Sequence, residues 1–121
     1  MTSPKVSVIT SCYNEPDEIF RRSLESVLDQ TLCQVVDEVE IIIVLDKPDN
    51  TRLAEIITEY QQEFHNIVFL RPQKNLGRGD ARNLALDMAR GTYIAIHDAD
   101  DIDVPQRLEE QFKYMEDNPD V

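Results

Sequence analysis

Val39-Glu40-Ile41-Ile42-Ile43-Val44-Leu45 is a near-continuous apolar run, rich in β-branched residues. A strand with one face in water alternates apolar with polar side chains. An unbroken run is expected of a strand covered on both faces, as in a parallel sheet between helices. The flanking segments fit that expectation. Lys47-Pro48-Asp49-Asn50 makes a turn in which Asp49 or Asn50 can cap a helix. Leu53, Ile56, Ile57, Tyr60 and Phe64 then recur at helical spacing. Upstream, Lys5 to Ser11 reads as a short strand, and Glu15 to Gln30 carries Phe20, Leu24, Val27 and Leu28 on one helical stripe. Downstream, Asn66 to Leu70 is a third strand. Residues 79–90 form a third helix with Ala81, Leu84, Ala85, Met88 and Ala89 on one face, and Gly91 stands where a left-handed cap belongs. Thr92 to Ile96 is the fourth strand, and Pro105 opens a last helix with Leu108, Phe112 and Met115 facing inward.

Strand and helix thus alternate with a period of about 30 residues, the length of a βαβ unit. The expected fold is α/β, in the order β-α-β-α-β-α-β-α: a mostly parallel, Rossmann-like sheet with helices on both faces. The chain stops just after a helix, where another strand is expected, so residues 1–121 read as the front part of a larger domain.

With 121 residues, 41% hydrophobic and 30% charged, the composition is that of a soluble globular protein of one domain at most. The formal net charge of −12 argues against general nucleic-acid binding and against docking on anionic lipid, both of which want a basic surface. No apolar run approaches the roughly 20 residues that cross a bilayer, and the amino terminus lacks a signal-peptide pattern. Cys12 and Cys33 stand apart with no CxxC pair, so they read as reduced thiols. A cytoplasmic location is expected, any membrane association being left to parts outside this chain.

After the strand Tyr93-Ile94-Ala95-Ile96 comes His97-Asp98-Ala99-Asp100-Asp101. Carboxylates crowded at the end of a strand repel one another and are costly to desolvate, unless a hard divalent cation sits among them. In an extended segment residues two apart point the same way, so Asp98 and Asp100 can face one ion. Asp101 and Asp103 suit the start of a helix, and the plainer reading of the whole cluster is a solvated helix start. A calcium-binding EF-hand loop from Asp98 fails, because Asp103 replaces the required glycine and Ile102 the fifth-position ligand.

In this topology the strand-to-helix loops open on one side of the sheet, where ligands of α/β proteins bind. Those loops carry Ser11 to Glu15, Leu45 to Asn50, Arg71 to Asp80 and His97 to Asp103, while the opposite loops look short and bland. Asp46 suits either a ribose or base contact or a turn. Asn75-Leu76-Gly77-Arg78-Gly79 lets backbone approach an anion and leads into a helix amino terminus, although Arg82 replaces the last glycine of a dinucleotide fingerprint. Arg78 and Arg82 offer local positive charge, or else pair with Asp80 or Asp87. His97 reads as a neutral side chain packed against the sheet and His65 as a helix-end residue. Cys12 lies on the ligand rim without a general base, so it is not expected to be a nucleophile.

Together these residues resemble the nucleotide-binding half of a family 2 glycosyltransferase with the GT-A fold. Val6-Ser7-Val8-Ile9-Thr10-Ser11-Cys12-Tyr13-Asn14-Glu15 resembles that family's opening strand, and Glu40 to Thr51 its second strand and Asp-Asp-Gly-Ser loop. Asn75-Leu76-Gly77 with Ala81-Arg82-Asn83 matches its Asn-x-Gly…Ala-Arg-Asn segment. Gly91 to Asp101 resembles the strand that leads into its Asp-x-Asp metal motif. The resemblance spans nearly the whole chain in the right order.

It implies an inverting glycosyltransferase of polysaccharide biosynthesis, taking a sugar from a nucleotide-diphosphate donor, a UDP-sugar first among them, to an unknown saccharide or lipid acceptor. The donor would be held by Ser11, Tyr13, Asn14, Glu15, Asp46, Asn75, Gly77, Arg78, Arg82, Asp98 and Ala99, with Asp46 and the Tyr13 region on the base and Asp98 on the ribose. Asp100 would ligate Mn²⁺ or Mg²⁺, with Asp98 a second candidate ligand. The catalytic base and acceptor site of the family lie in its later half, so this chain alone is not expected to be active. Leu45 and Lys47-Pro48 depart from the Asp-Asp-Gly-Ser pattern at the base.

The alternative is a catalytically inactive nucleotide-binding or interaction module of the same fold. A nucleotidyltransferase would want a Gly-rich, basic segment where Ser11-Cys12-Tyr13-Asn14-Glu15 stands, and a phospho-receiver would want an acidic pair there.

Overall fold

The computed structural model describes residues 4–30, 38–102 and 104–119. Strand and helix alternate as β1 (Val6–Cys12), α1 (Asp17–Leu28), β2 (Val39–Leu45), α2 (Thr51–Glu63), β3 (Ile67–Leu70), α3 (Arg78–Met88), β4 (Tyr93–Ile96) and α4 (Arg107–Asp117). The strands form one sheet in the order β3-β2-β1-β4. Every pairing is parallel, with Val8 opposite both Ile41 and Ala95.

All of β2 is buried, as its apolar run requires. Ile41, Ile43 and Leu45 pack with Val6, Val8 and Cys12 of β1 under α1 and α2, where Phe20, Leu24, Leu53 and Ile57 close the larger core. Leu108 of α4 joins the same layer. Ile42 and Val44 face the other way, with Ile9, against Ala81 and Ala85 of α3. The two layers follow from the strand order. The chain moves outward from β1 to β2 to β3, and then returns across the sheet to β4. Crossovers of the usual right hand put the outward helices on one face and the returning helix on the other.

Several expectations need correction. The first helix begins at Asp17, because Pro16 ahead of it is extended at ψ 147°, and Asp17 and Glu18 fill its first turn, where the helix dipole favours them. The last helix begins at Arg107 rather than at Pro105. Asp101 therefore stands well ahead of it and does not start it, while Asp103 and Cys33 lie outside the described residues. Met88 is exposed rather than part of the inner face of α3. Gly91 is not a left-handed cap, since Gly77 is the positive-φ glycine of the described residues. Its reason is close approach: a Cβ on Gly91 would stand 2.5 Å from the Ser7 backbone nitrogen and 2.8 Å from the Val6 carbonyl carbon.

The rim opposite the ligand side is not bland either. Glu40 is only 3% exposed within the apolar run of β2. Its carboxylate accepts from the Ser7 hydroxyl (2.5 Å), the Arg90 backbone N–H (2.6 Å) and Arg90 Nε (3.2 Å). Ser7 Oγ in turn accepts from the Gly91 N–H at 2.8 Å. This network ties the end of α3 to β1 and β2. At the other edge of the sheet, β4 pairs on one side only among the described residues, with β1, and Ile94 and Ile96 are exposed.

Candidate functional site

The strand order reverses direction between β1 and β4, and such reversals leave a crevice at the carboxyl ends of the strands. A cleft of about 500 Å³ lies there. The end of β1 brings Ser11 to it, the loop that follows brings Tyr13 and Glu15, and Asp46 comes directly after β2. Asn75, Gly77 and Arg78 come from the segment entering α3, and Arg82 from one turn further in. Asp98, Ala99 and Asp100 come from the segment after β4.

Asn14 is the exception among the expected donor-binding residues, since the fold leaves it outside the cleft. Its amide oxygen accepts from Arg52 Nη2 (3.2 Å) and Asn50 Nδ2 (3.3 Å), which fasten the β1–α1 loop to the start of α2. Asn50 also donates to the Tyr13 carbonyl (3.0 Å), and its Oδ1 caps α2 by accepting from the Leu53 N–H (3.1 Å). Arg52 further donates to the Glu15 carbonyl at 3.0 Å. Neither Asn50 nor Arg52 was expected to support the site; the helix cap at Asn50 was the one sequence signal. Within the loop the Tyr13 N–H donates to the Glu15 carboxylate at 2.8 Å. The Tyr13 ring stays half exposed, with the Lys47 ammonium 5.8 Å from its centre, a flat face suited to stacking.

Asp46 is buried and joins two loops. Its N–H donates to the Cys12 carbonyl (2.8 Å), and its Oδ1 accepts from the Leu76 N–H (2.8 Å). The Asn75 side chain accepts from the Gly77 N–H at 3.0 Å. Gly77 takes φ 87°, which only glycine adopts without strain, and so turns the chain sharply into α3. No side chain caps that helix, so its first N–H groups and its positive dipole end are available to an anion. Arg78 opens this helix and Arg82 follows one turn later, and neither is engaged in an ion pair among the described residues.

After β4 the side chains alternate: His97 and Ala99 are buried, whereas Asp98 and Asp100 are exposed on the cleft side. Among the described residues neither carboxylate is taken up by a hydrogen bond or an ion pair. They are hard oxygen donors two residues apart on one side of the chain, which fits Mg²⁺ or Mn²⁺. No group of three or more His, Cys, Asp or Glu able to hold a metal occurs among the described residues. Two carboxylates fit a cation that takes its remaining ligands from a bound phosphate and water, the usual arrangement for Mg²⁺.

Cys12 also touches the cleft but is almost fully buried, its thiol 3.6 Å from the Val44 carbonyl. Burial, with Glu15 and Asp46 nearby, pushes the thiol far above its ordinary value. A thiol held protonated is a poor nucleophile. Cys12 is expected to stay unmodified by iodoacetamide at pH 8 in the native protein and to react once urea unfolds it, as peptide-resolved mass spectrometry would read.

The all-parallel sheet, its helices and a cleft at the strand reversal define an α/β domain of the GT-A type. Residues 7–121 match the model of glycosyl transferase family 2, and the chain belongs to that family. It is 51% identical over its whole length to an uncharacterized glycosyltransferase of Methanocaldococcus jannaschii, covering 40% of that protein. It is 37% identical over 116 residues, 95% of its length, to the amylovoran biosynthesis glycosyltransferase AmsE of Erwinia amylovora, covering 42% of that protein. The chain therefore spans about two-fifths of the length of these curated relatives. Among solved structures, residues 1–349 of S. aureus TarS in complex with UDP superpose with a TM-score of 0.82 at 26% identity, over 95% of this chain and 33% of that one. No helix of the described residues is long and apolar enough to cross a membrane.

Proposed function

We propose that the cleft binds the nucleotide-diphosphate part of a sugar donor, a UDP-sugar, and that the whole protein is a metal-assisted, inverting glycosyltransferase of polysaccharide biosynthesis. One observation carries this reading. A single cleft brings together Asp98 and Asp100, two arginines and the uncapped start of α3, and among the described residues none of the four side chains is engaged in an ion pair. Carboxylates alone repel a phosphate; with a divalent cation between them and the phosphate they hold it. The arginines and the helix start then act on the remaining phosphate charge. The UDP bound by TarS, a relative in fold and sequence, supports the same ligand class.

In this reading Asp100 holds Mn²⁺ or Mg²⁺, Asp98 reaches the ribose or shares the ion, and the Tyr13 ring stacks on the base with Lys47 behind it. Asp46 acts mainly by holding the Leu76 N–H, and with it the anion-facing turn at Gly77, close to the sheet. The cation, when bound, neutralises charge that develops on the departing diphosphate. Arg78 and Arg82 contribute to the same end from the protein. The acceptor, a saccharide or lipid, and the catalytic base belong to the part of the protein outside this chain. A cytoplasmic location fits a nucleotide-sugar donor.

Titration of the chain with UDP, GDP and dTDP, with and without Mn²⁺, tests this reading. UDP is expected to bind at least ~10-fold more tightly with Mn²⁺, and Asp100→Ala is expected to remove that enhancement, a factor worth about 1.4 kcal/mol. Metal-independent binding, or none by the folded chain, would count against it.

A further inference from the structure

α1 and the turn that ends it carry two buried polar side chains, and these bond the chain at the two ends of the acidic segment. Ser23 is 1% exposed and Gln30, just past the helix, is fully buried. Ser23 lies within α1, and Gln30 follows its C-cap, Asp29. Ser23 lies at the segment's beginning: its Oγ is 2.7 Å from His97 Nε2 and 3.2 Å from the Asp98 carbonyl. A hydroxyl has one proton. Given to the Asp98 carbonyl, it leaves the oxygen to accept from an Nε2–H of His97, which fixes the imidazole tautomer. The His97 N–H meanwhile donates to the Ile9 carbonyl (2.9 Å), one step beyond β4, and the Asp101 N–H donates back to the Asp98 carbonyl (3.0 Å).

Gln30 lies at the segment's end. Its Nε2 donates to the Val104 carbonyl (2.7 Å) and to the Ser26 carbonyl (3.1 Å), and its Oε1 accepts from the Leu108 N–H (2.9 Å). Three of its hydrogen-bonding positions are thus filled by backbone, two of them on the far side of the acidic segment. Polar side chains at interior positions of an amphipathic helix lower its packing energy, and they persist where their hydrogen bonds specify one arrangement.

We infer that Ser23, with His97, and Gln30 form a two-point clamp by which α1 sets the position of Asp98 and Asp100 in the cleft. Ser23 and Gln30 are positioning residues: neither lines the cleft, and they act through the backbone they hold and, for Ser23, through His97, which does line it. Among the described residues the Asp98 and Asp100 carboxylates have no hydrogen bond or ion pair, so the geometry of the segment is set from behind. The functional consequence rests on the donor-site reading above, whereas the clamp itself is a property of the chain alone.

The test uses the whole 121-residue chain with two variants and two measurements. Ser23→Ala removes the hydroxyl and adds no bulk. Ile57→Val takes one methyl from the α2 side of the core, and so supplies a loss of stability unrelated to the clamp. In amide hydrogen exchange followed by NMR, Ser23→Ala is expected to speed exchange at His97 and Asp101 at least ~10-fold more than Ile57→Val does. In calorimetry with UDP and Mn²⁺, it is expected to weaken binding ~3- to 10-fold, while Ile57→Val binds as the unaltered chain does. A third variant, His97→Gln, keeps an N–H donor near the place of Nε2 and is expected to retain more protection at Asp101 than His97→Leu. If the unaltered chain binds no UDP, the donor-site reading falls and the exchange measurement still decides the clamp. Exchange at His97 and Asp101 that is the same in Ser23→Ala and Ile57→Val would overturn the inference, as would nucleotide affinity unchanged by Ser23→Ala in a chain that binds UDP.

Discussion

Gly91→Ala is expected to destabilise the protein by about 3 kcal/mol or more, read as a lower urea midpoint with an unchanged slope. The added carbon would stand 2.5 Å from the Ser7 nitrogen, 2.6 Å from Ser7 Oγ and 2.8 Å from the Val6 carbonyl carbon. Two of those three atoms are backbone of a buried strand, so no side-chain rotation relieves the overlap. The entry to β4 would have to move away from β1 and would break the Gly91 N–H to Ser7 hydrogen bond. Against this stands the gain from stiffening the unfolded chain, about 0.4–1 kcal/mol for a glycine replaced by alanine. The clash is the larger effect. Gly79 supplies the contrast: nothing lies within 4 Å of a Cβ there and the residue is helical, so Gly79→Ala is expected to stabilise by about 0.5–1 kcal/mol.

Glu40→Leu is expected to cost about 2–3 kcal/mol, although it puts an apolar side chain into an apolar strand. The Ser7 hydroxyl and the Arg90 N–H would each lose the acceptor they now have, at 2.5 and 2.6 Å. A buried donor without a partner bears its full desolvation cost. The Arg90 guanidinium is mostly exposed and rehydrates, so its loss adds little. The same carboxylate gives stability a pH dependence. Burial alone would raise its pKa, but the Ser7 hydroxyl, the Arg90 N–H and the Arg90 guanidinium outweigh burial and hold it below the ordinary glutamate value. The unfolded chain therefore takes up the proton first as pH falls. The contribution of Glu40 is complete above the ordinary glutamate pKa and is lost as pH drops through the lower, folded one. Measured against Glu40→Gln, the stability difference is expected to be constant near neutrality and to shrink below the ordinary glutamate range. A difference that grows with acid would contradict the network.

Much of this was legible in the sequence, for identifiable reasons. The order of elements followed from periodicity, since Val39–Leu45 is buried on both faces and Leu53, Ile56, Ile57 and Tyr60 form one face of α2. The rim carrying the cleft followed from parallel topology alone, because every strand-to-helix loop of such a sheet opens on the same side. What failed depended on partners distant in sequence. Gly91 looks like a helix cap until β1 lies beside it, 84 residues earlier. Asn14 looks like a site residue until Asn50 and Arg52, 36 and 38 residues on, draw its side chain away. Glu40 was read as part of an apolar run, although a carboxylate in such a run already demands buried donors. Ser23 gave the same kind of signal, since it interrupts the apolar stripe of α1, and Gln30 lies buried just past that helix.

The sheet order has a consequence for how the protein comes into being. β1 sits between β2 and β4, so the earliest made of these four strands keeps one edge unpaired until the latest of them has been made. The Ile9–His97 and Ser23–Asp98 contacts close long loops, and loop closure is the slow, entropically costly part of forming a parallel sheet. The acidic segment can take its place only after that closure. During synthesis the glycine turn and its arginines come first, and the carboxylates that face them arrive with the strand that completes β1.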